Sequence, residues 1–158
     1  MSIKIKILEL SPNCMPRQID KGDWIDLCSA CDITLDPKSN SVCYIPLGVA
    51  IKLPEGYEAI VASRSSSPKN FGTDACSGIG IIDNKYCGPK DEWCFICRPR
   101  KKITINAGDR VCQFRVQLSQ KATFWQKLKW LFSSGIKLEQ VTSLESENRG
   151  GFGTTGTN

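Results

Sequence analysis

The chain has 158 residues, 41% of them hydrophobic, and a formal net charge of +5, which favours one domain with a substantial core and a small anionic ligand. Histidine is absent, so histidine triads, general bases and metal ligands are excluded, and any catalysis must use carboxylates, Arg, Lys, Tyr, Ser, Thr or Cys. No apolar run of about 18 residues occurs, so we expect no membrane-spanning helix.

Cysteine usage bears on the compartment and on metal binding. The chain has nine cysteines, an odd number that does not favour a complete set of disulfides. The alternating isoleucines and lysines at the start of the chain indicate a strand rather than a signal peptide. We therefore expect reduced thiols in a cytoplasm. The pairs Cys28/Cys31 and Cys94/Cys97 have the CxxC spacing of zinc ligands, but they lie far apart in the chain and in predicted strands. Small core residues are the favoured interpretation, with structural zinc as the alternative.

Short apolar runs separated by turn residues dominate the chain. We predict strands at residues 3–8, 24–30, 42–53, 57–63, 79–82, 93–97, 103–105, 110–118 and 136–141. Proline, glycine and asparagine between them, as at residues 54–56 and 106–109, are typical of tight turns. Many short strands at this spacing predict an all-β sandwich, jelly roll or small barrel.

One segment, residues 122–132, has helical periodicity. Its apolar face comprises Phe124, Trp125, Leu128, Leu131 and Phe132. Trp130 falls on the polar side. We favour a helix packed on its own sheet by the apolar face; the alternatives are a docking surface for a partner protein and, because the segment is short, less readily a membrane surface.

Three internal segments carry residues suited to phosphate chemistry. Arg64, Ser65 and Ser66 follow a predicted strand and offer a guanidinium, hydroxyls and free amides. Another strand ends in Asp83, and a turn there would bring the phenol of Tyr86 near its carboxylate. The third segment, residues 108–113, opens an alternating strand.

The C-terminal segment, residues 149–156, combines an arginine, several glycines, one aromatic and two threonines. Glycine is costly to order, which favours a flexible strap over a core element. Its backbone amides and hydroxyls can wrap phosphates, Arg149 can bind them bidentately, and Phe152 can stack on a base.

The order and spacing of these segments closely resemble the trimeric dUTP diphosphatase (dUTPase) family over nearly the whole chain. The family's five motifs match residues 26–30, 64–66, 80–88, 108–113 and 149–156. Residues 67–72 and the region of Trp93 resemble the branch found in bacilli and their phages. Ser77, Cys87 and Pro89 depart from the usual pattern, which places an asparagine, a basic residue and a glutamate at these positions.

The resemblance implies a single all-β domain over residues 1–147, a distorted jelly roll or β-barrel with a short inserted helix at about 121–133, and a flexible lid at 148–158. It implies hydrolysis of dUTP to dUMP and pyrophosphate, in a cytoplasm of a bacterium or a phage-infected host. That reaction cleans the nucleotide pool and supplies the precursor of dTTP. We expect no nucleic-acid or membrane partner.

The resemblance also assigns roles to residues of this chain. Asp83 would orient the attacking water, and Tyr86 would stack on the deoxyribose and exclude a 2′-hydroxyl. Mg²⁺ would be held mainly by the substrate phosphates, with Asp26 acting indirectly through water. The remaining substrate contacts would come from Arg64, Ser65, Ser66, Ser77, Gly80, Ile81, Ile82, Gln113, Arg149, Phe152, Gly153, Thr154 and Thr155.

In this family each site is shared by three subunits of a homotrimer. The second and fourth motifs would come from one chain, the third from another and the strap from a third. Two alternatives remain open: dCTP deaminase of the same fold, which needs a glutamate that the strand 93–97 lacks, and a regulatory module that engages a protein through residues 122–132.

Overall fold

The computed structural model describes residues 1–39 and 41–152. The strands are β1 (Ile3–Glu9), β2 (Arg17–Gln18), β3 (Ile25–Cys28), β4 (Ile33–Leu35), β5 (Cys43–Pro46), β6 (Val49–Lys52), β7 (Tyr57–Ser63), β8 (Thr73–Ala75), β9 (Ile79–Asp83), β10 (Cys94–Pro99), β11 (Ile103–Ile105), β12 (Arg110–Leu118) and β13 (Ile136–Val141). The helices are α1 (Ser67–Asn70) and α2 (Phe124–Leu131). The all-β prediction is confirmed.

The strands form several small sheets. The largest has the order β2-β3-β12-β7-β9, two have three strands in the orders β13-β1-β6 and β5-β10-β8, and β11 pairs with β4. Among the described residues β9 is therefore an edge strand, paired only with β7. Over the described ranges the sheets do not close into a barrel, so of the two expected architectures the open, jelly-roll-like one applies.

The sheets share one core. Alternation along β1 buries Ile3, Ile5 and Ile7, as the sequence predicts. Trp93, the largest fully buried side chain, packs edge-on against Phe114 with ring centroids 5.3 Å apart. This core fixes β7, β12 and β10, the strands that carry or flank the candidate site.

The predicted strand at 42–53 is two strands, β5 and β6, joined at Gly48. Gly48 has φ +66°, and a Cβ there would lie 2.6 Å from Cys14 Sγ, so the turn requires glycine. The short β2, β4 and β8 and the single-turn α1 escaped the sequence prediction, because elements of two to four residues carry too little periodicity to be recognised.

Helix α2 forms where predicted, but the packing predicted for it is wrong. Phe124, Trp125, Leu131 and Phe132 are between 66% and 77% exposed. Trp130 is the side chain that packs on the core, with its ring 5.6 Å from that of Tyr57. Periodicity identifies residues that share a face, whereas the connections of the helix decide which face meets the protein.

The CxxC cysteines do not gather. Cys97 is buried and Cys94 lies on the other face of β10, while Cys28 is buried and Cys31 is exposed. Across residues 1–39 and 41–152 no three His, Cys, Asp or Glu side chains are arranged to hold a metal ion. Neither α1 nor α2 is long and apolar enough to cross a bilayer.

Candidate active site

The edge strand β9 ends at Asp83, and a turn follows at once. Asp83 Oδ1 accepts a hydrogen bond from the Lys85 backbone N–H (3.0 Å), and the Asp83 carbonyl accepts one from the Tyr86 N–H (3.2 Å). The side-chain cap and the backbone bond together fix the turn. The turn forms as the sequence predicts, and Asp83 and Tyr86 border the same cavity.

That cavity has a volume of about 280 Å³ and lies between β9, β10 and the C-terminal segment. Its wall includes Val61, Ala75, Ser77, Gly80, Ile81, Ile82, Asp83, Tyr86, Trp93, Cys94, Phe95, Ile96, Arg149, Gly150, Gly151 and Phe152. Most of the predicted base- and sugar-contacting residues are thus brought together. The predicted contacts at Gly153, Thr154 and Thr155 lie outside the described residues.

The C-terminal segment closes one side of this cavity in the same chain. Arg149 Nη1 lies 2.6 Å from Asp83 Oδ2. Phe152 is 59% exposed at the cavity and meets Tyr44 edge-on, with ring centroids 5.3 Å apart. Residues 149–152 contact their own chain in this single-chain structure, and the exchange of the strap between subunits stays a prediction.

Tyr86 is held as a neutral, oriented ring. Its hydroxyl donates to the Glu92 carbonyl at 2.9 Å. Burial, with the nearby charges of Asp91, Cys94 and Glu92, raises the pKa of Tyr86 to about 12. The phenol therefore stays protonated at neutral pH and is suited to packing rather than to proton transfer.

Ser77, the residue that departs from the family pattern, is exposed at the rim of the cavity. Its hydroxyl donates to the Ile79 carbonyl at 3.0 Å, which stabilises the approach to β9. The asparagine usual in the family would carry both a donor and an acceptor here, whereas serine carries a single hydroxyl. The residue still lines the cavity.

A second polar cluster forms where β7 ends and β12 begins. Asp26, 4% exposed, pairs with two guanidinium groups: Arg64 Nε lies 3.0 Å from Oδ1, and Arg110 Nη1 lies 2.9 Å from Oδ2. Arg64 also donates to the Arg110 carbonyl at 3.2 Å. Both oxygens of Asp26 are engaged by arginines, which fits an indirect part in metal binding and not that of a direct ligand.

The remaining residues of this cluster belong to the loop after β7 and to the start of β12. Gln113 donates to the Ser63 carbonyl at 3.1 Å, while Ser65 is exposed and Ser66 directly precedes α1 without a side-chain capping bond. Ser67, which the sequence reasoning did not single out, is fully buried. Its hydroxyl accepts from the Arg64 N–H and donates to the Val111 carbonyl, tying the loop to β12.

The two clusters lie at opposite ends of the β7–β9 pair. Asp83 is opposite Glu58, whereas Ile79 is opposite Ala62, next to the Arg64 loop. Glu58, the residue opposite Asp83, lies six residue steps before Arg64, which is about 20 Å of extended chain. One chain therefore does not bring Asp83 and Arg64 together.

The fold and the cavity define a β-sheet protein that can enclose a small polar ligand between an edge strand and a C-terminal strap. The dUTPase family model matches residues 15–156. The chain belongs to the dUTPase family.

Its relatives include phage and bacterial proteins. The SPbeta prophage-derived deoxyuridine 5′-triphosphate nucleotidohydrolase YosS of Bacillus subtilis is 40% identical over 157 residues, covering 99% of each chain. A deoxyuridine 5′-triphosphate nucleotidohydrolase of Anaplasma marginale is 32% identical, over 98% of this chain and 99% of its own.

A solved structure supports the fold. The dUTPase from phage phi11 of S. aureus superposes with a TM-score of 0.64 at 21% identity, over 90% of this chain and 99% of its own.

Proposed function

We propose that this protein hydrolyses dUTP to dUMP and pyrophosphate. The observation that carries the proposal is the convergence of Asp83, Tyr86, Arg149 and the edge strand β9 on one cavity in a chain of this family. The relatives that are 40% and 32% identical are named as deoxyuridine 5′-triphosphate nucleotidohydrolases. A cytoplasm, where nucleotide pools reside, is the setting that we propose for it.

The base would be read by the free edge of β9. An edge strand presents backbone N–H and C=O groups without a sheet partner, and the groups at Gly80, Ile81 and Ile82 border the cavity. Uracil can pair with such a strand edge. Cytosine presents the opposite donor and acceptor and would leave buried groups unpaired, which is a strong basis for discrimination.

The sugar and the outer face of the base would be covered by aromatic rings. The fixed ring of Tyr86 leaves no room for a 2′-hydroxyl under a deoxyribose stacked on it. Phe152, at the cavity and largely exposed, has the surface to cover uracil and exclude water.

Asp83 would orient the water that attacks the α-phosphorus in line. A carboxylate is a weak base, so the contribution of Asp83 is mainly positional, with proton acceptance as the new P–O bond forms. Arg149 would exchange its contact with Asp83 for the phosphates, which releases the carboxylate to the water and places positive charge on the leaving pyrophosphate.

The triphosphate would lie against Arg64, Ser65, Ser66 and Gln113, with Thr154 and Thr155 closing over the distal phosphates. Asp26 holds Arg64 and Arg110 in place beneath this loop. Mg²⁺ bound to the phosphates and to water would supply further charge neutralisation, in keeping with an Asp26 whose oxygens are already occupied.

A complete site would need more than one copy of the chain, because Asp83 and Arg64 lie at opposite ends of the β7–β9 pair. Ile79 and Ile81 are 45% and 63% exposed on the edge strand of the isolated chain. Apolar side chains beside a half-formed site are typical of a surface that a second copy covers. We propose the homotrimer that the resemblance implies.

The test is pyrophosphate release from dUTP, dCTP, dTTP and UTP, with and without Mg²⁺. We expect rapid release from dUTP alone, strongest with Mg²⁺. Release of ammonia from dCTP would instead identify a deaminase. Equal hydrolysis of all four nucleotides would contradict base reading by β9.

The exposed face of α2 supports a second function, the binding of a partner protein. Phe124, Trp125, Leu131 and Phe132 form this face, and Lys127 and Lys129 are the charged residues of the helix. Because the helix carries aromatic side chains and two lysines without acidic residues, its exposed face complements an apolar groove with an acidic rim. The structurally similar phage 80alpha dUTPases of Staphylococcus are described as controlling transfer of virulence genes.

This second function is testable with a synthetic acidic amphipathic peptide as the probe. Trp125 fluorescence should report binding of a Glu/Leu-rich helical peptide, and a peptide with lysine in place of glutamate should not bind. The variant Phe124→Ser with Phe132→Ser should lose the peptide and keep dUTP hydrolysis. Equal binding of the basic peptide, or binding to anionic lipid vesicles alone, would contradict a protein partner.

A further inference from the structure

The Tyr86 ring, proposed to exclude a 2′-hydroxyl, is held at its far end by a hydrogen bond. Its hydroxyl donates to the Glu92 backbone carbonyl at 2.9 Å. A phenol ring attached only through its Cβ has a broad range of orientations, whereas a ring held at both ends keeps one. The position of the Glu92 carbonyl therefore determines how the face of Tyr86 lies in the cavity.

The backbone at Glu92 is itself bound to the turn between β5 and β6. Glu92 Oε1 accepts the Gly48 N–H at 2.9 Å. The neighbouring residue adds two backbone bonds: the Leu47 N–H donates to the Trp93 carbonyl at 3.0 Å, and the Trp93 N–H donates to the Val49 carbonyl at 2.9 Å. The hydrogen bond from Glu92 is charge-assisted, which makes it stronger than a bond between neutral groups.

Both partners in this contact belong to closely packed structure. The Gly48 carbonyl accepts the Leu10 and Ser11 N–H groups at 2.7 and 3.2 Å, and the turn has no space for a Cβ beside Cys14. Trp93 is fully buried. The hydroxyl of Tyr86 is therefore connected to the core through Glu92.

The side chain of Glu92 is the part of this connection that a substitution can change. Bonds between backbone groups form whatever the side chains are, whereas the bond to Gly48 requires an acceptor of the right length at residue 92. No step of the proposed reaction uses this carboxylate. It acts through the geometry of Tyr86.

We infer that Glu92 is a positioning residue that, through its bond to Gly48, sets the Tyr86 ring and with it the discrimination between deoxyribose and ribose. The inference rests on the proposed hydrolysis of dUTP, in which Tyr86 stacks on the sugar. A ring that can tilt opens space for a 2′-hydroxyl. Loss of the Glu92 side chain should consequently favour UTP more than it slows the reaction of dUTP.

Steady-state kinetics with dUTP and UTP tests this role. Glu92→Ala should lower the ratio of kcat/KM for dUTP to that for UTP about tenfold, while kcat for dUTP stays within about threefold of wild type. Glu92→Gln should restore the ratio, because its amide oxygen can accept the Gly48 N–H. An unchanged ratio in Glu92→Ala would overturn the inference.

Glu9→Ala is the matched control. Glu9 also uses a carboxylate oxygen to hold backbone near the same turn, since Oε1 accepts the Cys14 and Met15 N–H groups at 2.7 and 3.2 Å. Its loss should lower stability and leave the ratio of dUTP to UTP unchanged. An equal fall of that ratio in Glu9→Ala would show general loosening of the fold and count against a specific role of Glu92.

A double-mutant cycle tests whether Glu92 acts through Tyr86. Tyr86→Phe keeps the ring and removes its hydrogen bond, so it should lower the ratio as Glu92→Ala does. The double variant should fall no further, because both changes break the same connection. Additive losses would contradict the inference. If Glu92→Ala fails to fold, Glu92→Asp takes its place, since a carboxylate shorter by one methylene keeps the charge and does not reach Gly48.

A spectroscopic measurement separates failure of the inference from failure of the proposed function. The chain has three tyrosines, so 3-fluorotyrosine gives three ¹⁹F resonances, and Tyr86→Phe assigns one of them. In the nucleotide-free protein, Glu92→Ala should shift or broaden the Tyr86 resonance and Glu9→Ala should not. An unmoved resonance overturns the inference whatever the activity, whereas a wild-type protein that does not hydrolyse dUTP rejects the proposed function.

Discussion

Two aspartates show how differently the same side chain is placed in this protein. Asp26 is buried with both oxygens paired to arginines, whereas the side chain of Asp83 is 47% exposed at the end of an edge strand beside a cavity. A buried, paired carboxylate organises its neighbours, and an accessible one can hold a water. This contrast underlies the first two predictions.

Asp83→Asn should leave the affinity for a dUTP analogue within a few-fold of wild type and lower kcat by at least about a hundredfold, because the amide cannot accept the proton of the attacking water. Steady-state pyrophosphate release and calorimetry with the analogue measure the two effects. Activity within about tenfold of wild type would reject the role of Asp83.

Asp26→Asn should destabilise the fold by about 3 kcal/mol, because it leaves two guanidinium groups without their buried counter-charge. Urea unfolding measures this loss. The Mg²⁺ concentration that gives half-maximal activity should stay unchanged, since Asp26 is not expected to bind the ion. A large rise in that concentration without a loss of stability would identify Asp26 as a metal ligand instead.

The lowered pKa of Asp91 predicts that the free energy of unfolding depends on pH in the acidic range. Burial alone would raise its pKa, but hydrogen bonds from the Arg149, Gly88, Gly150 and Cys87 backbones hold the pKa below the ordinary value of 3.8. Its contribution is therefore complete above about pH 4 and is lost as the pH falls through the lowered folded-state pKa. Wild type and Asp91→Asn should differ in free energy of unfolding at neutral pH and converge as the pH falls through the lowered pKa of Asp91; a constant difference would contradict this.

At the scale of elements, local hydrogen bonds determine that α2 forms, whereas contacts with the core determine which of its side chains is packed. Thr123 and Gln126 form a capping box, with the Thr123 hydroxyl accepting from the Gln126 N–H and the Gln126 side chain accepting from the Thr123 N–H. These local bonds fix where the helix begins. Trp130 alone among its large aromatic residues joins the core cluster.

The two tryptophans of α2 should respond in opposite ways to truncation. Trp130→Ala removes the contact with Tyr57 and should cost about 2 kcal/mol of unfolding free energy. Trp125→Ala removes a side chain that is 76% exposed and should change stability by less than about 0.5 kcal/mol. Chemical denaturation of the matched pair measures both, and a larger loss at Trp125 would mean that the predicted apolar face is the packed one.

At the scale of the whole molecule, Asp83 and Arg64 are far apart along β7 and β9, and we therefore propose that activity requires assembly. Light scattering should give a mass of about three times the chain's 17.5 kDa. Activity per chain should fall when the protein is diluted below the dissociation constant of the trimer. A fully active monomer would contradict the shared site.

Much of the fold and of the cavity was predictable because it depends on local patterns. Alternation located most of the longer strands, and the turn predicted after Asp83 forms, with the Tyr86 N–H donating to the Asp83 carbonyl. The short β2, β4 and β8 were missed, since they exist through pairing with a neighbouring strand in the sheet rather than through their own periodicity.

Sequence by itself determined which side chains are available for phosphate chemistry and their order along the chain. It also determined the helical period of residues 124–131, because that period follows from backbone geometry and the spacing of apolar residues. Only the tertiary structure decided that Trp130 faces inward, that Ser67 and Asp91 tie loops together, and that Asp83 lies beside Arg149 but far from Arg64. Those outcomes depend on strand register and on contacts between segments remote in the chain, which no local pattern encodes.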